Sequence, residues 1–167
     1  IDAHLHVFAK ASDPFPRTAT DLAPGAREES VEKFLNCMEK HAIDQAMLVQ
    51  LGGAQIGEHA YLQHCLKTFP DRFLGIGLIP SDCPDPKAHM DRLAEGGGIV
   101  GFRLGTLGGS RDPFAPVDVR TLESYPIWRH AAERDYVLPM PDSSIPGEPE
   151  FAFKHNLERE TLHRLTH

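Results

Sequence analysis

The sequence predicts an α/β protein built on a parallel sheet, and three observations carry that prediction. Short apolar segments alternate regularly with longer segments whose apolar residues recur at i, i+3, i+4 and i+7. The returns between most of them are short, so consecutive strands run parallel through right-handed strand–helix–strand units. The second apolar segment, QAMLVQL at Gln45–Leu51, is almost continuous in apolar character, as expected of a parallel strand covered on both faces.

The first strand is expected at Ile1–Val7 and is followed by a long polar loop from Phe8 to about Arg27, a length typical of functional loops. A helix over about Glu29–His41 follows from Val31, Phe34, Leu35 and Met38 on one face, with Ser30 as N-cap. Gln45–Leu51 is the second strand, ended by Gly52-Gly53. Leu62, Cys65, Leu66 and Phe69 place a second helix at about Glu58–Phe69, broken by Pro70-Asp71. Phe73–Ile79 (FLGIGLI) is the third strand. Met90, Leu93 and Ala94 mark a helix at Asp85–Glu95 that Gly96-Gly97-Gly98 stops. Ile99–Leu104 (IVGFRL) is the fourth strand, and Gly105–Asp118 is a second long loop. Ile127, Trp128, Ala131 and Ala132 point to a helix within Arg120–Arg134. Tyr136–Met140 (YVLPM) reads as a fifth strand, with Pro139 awkward for a central one. A Pro-rich stretch to Pro149 and a polar, helix-like tail close the chain.

With 167 residues and 41% hydrophobic content, the chain can bury one real core, and a single domain over 1–167 is expected, with 141–167 an unassigned tail. A net charge of −7 argues against nucleic acid or an anionic membrane as partner. No apolar run approaches the length of a membrane span. Three widely spaced Cys, without a CxxC pair, fit free thiols in a reducing cytoplasm, and Cys37 and Cys65 are expected to pack internally. No secretory leader is recognisable, and the lack of an initiator Met leads us to expect residues absent before Ile1.

Asp2-Ala3-His4-Leu5-His6 is the densest chemical signal. Residues i and i+2 of a strand share a face, about 7 Å apart, so His4 and His6 can address one ion or one reacting atom. Imidazole suits Zn, Fe, Ni or Cu, and two ligands leave positions for water and other groups. Satisfied polar residues at a strand end are the plainer alternative. Asp2 either orients a ligating imidazole or is a solvated strand-start charge. In parallel α/β folds the site lies at the carboxyl ends of the strands, where His6, Gln50, Arg103 and Asp142 all fall. Arg103, inside an apolar run, needs either a buried carboxylate or a substrate anion. Gln50 can hydrogen-bond substrate or brace its strand end. Asp142 can serve as general base or simply shape a Pro-Ser turn. His41, His59, His64, His89 and His130 read as surface or packing residues on helices.

IDAHLHVF, the Phe15-Pro16 and Pro24 loop, MEKHAIDQAMLVQ, FPDRFLGIGLIP and IVGFRL together resemble the amidohydrolase-related family. That group includes 2-pyrone-4,6-dicarboxylate lactonase, other lactonases and aminocarboxymuconate-type decarboxylases. The similarity runs in order over about residues 1–135. It implies a (β/α)8 TIM-barrel of the metal-dependent hydrolase type, with His4 and His6 at the mouth of the first strand and Arg103 at that of the fourth. Only about five strand–helix units are visible, so the barrel is incomplete within these residues. The later family His strand is not found, and Pro141–Pro146 echoes the last-strand Asp motif faintly. A closed barrel takes roughly 250 residues, so the natural polypeptide is expected to be longer, with more strand–helix units after Met140.

The resemblance implies a hydrolase that opens a small anionic cyclic ester. His4 and His6, with or without a divalent metal (Zn, or Mn or Fe), would stabilise the oxyanion. Arg103 and Gln50 would hold substrate, and Asp142 would activate water. Non-oxidative decarboxylation of an aromatic or muconate-type acid, and a catalytically inactive binding subunit, stay open as alternatives, as does a homo-oligomer.

Overall fold

The computed structural model describes residues 2–21, 23–80, 83–104, 129–131 and 133–136, with side chains from Leu5 onward except that of Leu104. Four strands, β1 (Asp2–Leu5), β2 (Ala46–Val49), β3 (Phe73–Ile79) and β4 (Ile99–Leu104), alternate with three helices, α1 (Val31–Lys40), α2 (Ala60–Thr68) and α3 (Pro86–Ala94). All three strand pairs are parallel, and spatial order equals chain order.

Local chemistry sets the helix ends. Ser30 caps α1 by accepting from the Lys33 N–H, and Glu32 and Lys40 match the two ends of its dipole. Asp85 caps α3 by accepting from the Ala88 N–H, with Pro86 in the first turn, where its missing N–H costs nothing. The second helix differs from expectation at its start. Ile56–His59 is a 3-10 turn, opened by a Gln55–Glu58 capping box, and α2 begins only at Ala60.

The helices cover one face of the sheet. Val31 and Met38 of α1, Leu62, Cys65 and Leu66 of α2, and Met90 and Leu93 of α3 pack against Ala46, Leu48, Phe73, Ile79, Ile99 and Phe102. Close packing has a demand at Gly75, where a Cβ would come within 2.6 Å of Leu66. The opposite face carries a separate apolar cluster of Met47, Val49 and Ile76, with Val100 against it. Helices on one face and strands in sequential order make an arc of a singly wound barrel; a doubly wound sheet would reverse its strand order and cover both faces.

One irregularity matters later. Gly75 pairs with Ile99 but Ile76 pairs with Gly101, so Val100 is an extra residue in β4.

Three further expectations need amendment. The first strand ends at Leu5, two residues short of Val7. Cys37 is exposed, because it lies one position off the buried stripe of α1, while Cys65 is buried as expected. Of the fifth strand, Tyr136 is not in a strand and 137–140 lie outside the described residues. Among the described residues no helix is long and apolar enough to cross a membrane.

Candidate active site

Because all four strands run parallel, their carboxyl ends share one edge of the sheet. His6 directly follows β1, Gln50 directly follows β2, and Arg103 is the penultimate residue of β4.

His6 is oriented by the neighbouring strand. Its Nδ1 lies 2.8 Å from the carbonyl oxygen of Val49. A carbonyl only accepts, so Nδ1 carries the hydrogen and Nε2 is the lone-pair nitrogen. Burial lowers the His6 pKa from its ordinary value; the Val49 bond opposes this, and the positive charge of Arg103 adds to it. The ring is therefore neutral at pH 7. Leu5 and Val7 pack with the helix-side core, which puts His6 between them on the opposite face.

Arg103 reaches that same face through the bulge. Ile99 and Phe102, three residues apart, both pack into the helix-side core. Strict alternation would have sent Arg103 the same way as Ile99, and the extra residue at Val100 reverses it. Its half-buried guanidinium acts electrostatically on His6. Among the described residues no carboxylate lies within ion-pair distance of it.

Gln50 goes elsewhere. It is 5% exposed and follows Val49 in the alternation, so it faces the helical layer. Its Nε2 lies 3.2, 3.1 and 2.9 Å from the carbonyls of Leu51, Gly53 and Glu58, bracing the turn after β2. His6 and Arg103 are thus brought together, and Gln50 stands behind the sheet. His4 lies on β1, with its side chain, like that of Asp2, outside the described residues; Asp142 lies outside them altogether.

The long loop after β1 is fastened over this edge. Arg17 donates to the carbonyls of Ala9, Ala23, Pro24 and Arg27 and stacks on Phe8. Thr18 donates through its N–H and its hydroxyl to Glu58. Gly52, at φ +82°, admits Arg17 where a Cβ would stand 2.4 Å from its Cγ.

Sequence reasoning read His59 as a surface or packing residue and missed how it is used. The ring is fully buried, with Nδ1 2.8 Å from the Gln55 carbonyl and Nε2 accepting from Leu78 N–H at 3.0 Å. Burial first, and the nearby His89, hold its pKa down at about 4. The only local signal was the Gln55–Glu58 capping spacing, which fixes where His59 falls in the turn.

As a metal ligand, His6 fits: its Nδ1–H is engaged by a backbone carbonyl, as in many metal sites, and Nε2 has the lone pair to ligate. Among the described residues no group of three or more His, Cys, Asp or Glu closes round a common point.

A search of curated proteins gives no match. Among solved structures, the chain is similar to a probable 2-pyrone-4,6-dicarboxylic acid hydrolase from Acinetobacter baumannii with citric acid bound, at 23% identity and a TM-score of 0.55. That match covers 82% of this chain and 47% of the other, so the chain spans about half the length of the structure it resembles. The amidohydrolase family model matches residues 1–143. With most of its length inside that match, and a one-sided parallel sheet that carries its polar residues at the carboxyl edge, the chain belongs to the amidohydrolase family.

Proposed function

We propose that the chain forms part of an enzyme that hydrolyses a small anionic cyclic ester. The observation that carries this reading is the pairing of His6 and Arg103 on one face of the carboxyl edge. The first is neutral and oriented; the second has no carboxylate partner among the described residues. A half-buried arginine with no carboxylate beside it among the described residues suits a substrate carboxylate, which it can grip with two parallel N–H bonds. Both the acid named for the similar structure and the citric acid bound there are polycarboxylic, which supports the same substrate class.

In this reading Arg103 holds the carboxylate and turns the ester carbonyl toward His4 and His6. Water adds to the carbonyl carbon, the ring C–O bond breaks, and the ring oxygen leaves with a proton. The new carboxylic acid ionises, so each turnover releases one proton. Asp142 is the residue assigned to take the proton from water. A divalent ion held by His4 and His6, when bound, would polarise the carbonyl and lower the pKa of water. Gln50 contributes by bracing the turn behind the site.

A panel of anionic lactones and aromatic carboxylic acids, followed in weak buffer for acid and for carbon dioxide, tests this. Acid release from lactones alone is expected. Carbon dioxide without lactone turnover would replace hydrolysis by decarboxylation, and neither signal would leave a binding subunit.

A further inference from the structure

The mechanism above leaves one buried, fully bonded imidazole unused. We propose that His59 is a positioning residue for Arg103, standing in for the missing length of β2 so that β3 stays ordered up to the level at which it supports Arg103. This rests on Arg103 being the anion-binding group of the reading above.

The ladder geometry leads to this directly. In a parallel sheet the N–H and C=O of one residue point to the same neighbour, and successive residues alternate. Ile76 accepts from Gln50 N–H at 2.9 Å and so faces β2, while the Gly75 N–H donates to Gly98 on the other side, at 2.7 Å. Leu78 must therefore also face β2. But β2 ends at Val49, level with Ile76, and the chain turns away at Gly52. Without a substitute, the Leu78 N–H would be an orphan donor beside a buried core. His59 Nε2 takes that place at 3.0 Å, and its Nδ1–H is held in turn by the Gln55 carbonyl, which fixes the acceptor tautomer. On its other side, Leu78 is the direct register partner of Arg103. The link from imidazole to guanidinium is one strand wide.

The test uses the full chain, with isophthalate as an unreactive dianionic probe. In wild type, a through-hydrogen-bond nitrogen–nitrogen coupling between the Leu78 amide and His59 Nε2 is expected, and its absence overturns the proposal. His59→Phe keeps bulk and removes the acceptor. Leu78 amide exchange should then rise, and isophthalate affinity fall, each by roughly tenfold, the value of one buried hydrogen bond. In an Arg103→Ala background the same substitution should leave the residual affinity unchanged, because the effect passes through Arg103. An equal loss in both backgrounds would mean a merely structural residue and overturn the proposal. His59→Gln, which keeps an acceptor, should retain both properties. Should His59→Phe not fold, loss of Leu78 protection with unchanged binding in His59→Gln would overturn it. If wild type does not bind isophthalate, the anion-site reading fails by itself. The Arg103 Nε resonance then decides: a shift on losing the His59 acceptor supports the link, and an unmoved resonance overturns it.

Discussion

The two edges of the sheet each carry an arginine, and the two are treated in opposite ways. At the amino edge, Arg72 is saturated. It pairs with Glu39 at 3.0 Å and donates to the carbonyls of Asp44 and Ile43 at 2.7 and 3.2 Å, closing the turn between α1 and β2. At the carboxyl edge, Arg103 is half-buried, acts electrostatically on an oriented His6, and has no carboxylate partner among the described residues. The first arginine is used to hold the fold together; the second is the one the proposed function assigns to a substrate anion. The histidines differ in a related way, since His59 has both nitrogens committed to backbone within the helical layer, whereas His6 has its Nδ1 oriented by the Val49 carbonyl at the carboxyl edge.

The largest effect that would break this contrast is on turnover. His6→Ala should lower kcat on an anionic lactone by about a hundredfold or more, because it removes the Nε2 lone pair that would hold a divalent ion or accept a proton at the reacting carbonyl, with a smaller change in thermal stability. Steady-state kinetics beside a melting curve check both halves. Equal damage to stability would make His6 a structural residue like His59.

Next in size is a pH effect led by His59. Its folded pKa of about 4 lies below the ordinary 6.5, so between those values the unfolded chain binds a proton that the folded chain does not. Stability is then full above pH 6.5 and falls as pH drops toward 4, by on the order of 3 kcal/mol. His6 and His89, also lowered, add slope of the same sign. Denaturant titrations across this range should show a shallower loss for His59→Gln than for wild type, and parallel curves would contradict the assignment.

The smallest effect sharpens the arginine comparison itself. Arg103→Ala should weaken anionic ligands by about 1.5–3 kcal/mol, the loss of a charged hydrogen bond, and leave neutral esters nearly unaffected. Arg72→Ala should leave ligand affinity alone and reduce stability by only about 1–2 kcal/mol, since its partner Glu39 is largely exposed. Titration of both variants with a dianionic and a neutral ligand reads the difference.

Much of the fold was legible because periodicity is a local property. β3 and β4 fall on the expected residues, and Ser30 caps α1 as its spacing before the apolar stripe required. The start of α2 was not legible, since helical and 3-10 turns share the same apolar spacing over four residues and only the tertiary bonds of Glu58 and His59 separate them. The site was partly legible. His6 and Arg103 were picked out by strand-end position, whereas Gln50, chosen on the same ground, faces the helices, and His59 looked like any helical histidine.

For the four strands of the described residues, the sequence by itself determined where they lie, that they run parallel, and which edge collects their ends, because side-chain alternation and short returns leave few other ways to bury the apolar residues. Tertiary structure alone decided which face Arg103 occupies. Counting along IVGFRL assigns it to the helical side with Ile99; the extra residue at Val100, set by the pairing of β4 with β3, turns it to the side of His6. A bulge is a property of two strands in register, and no count along one strand contains it.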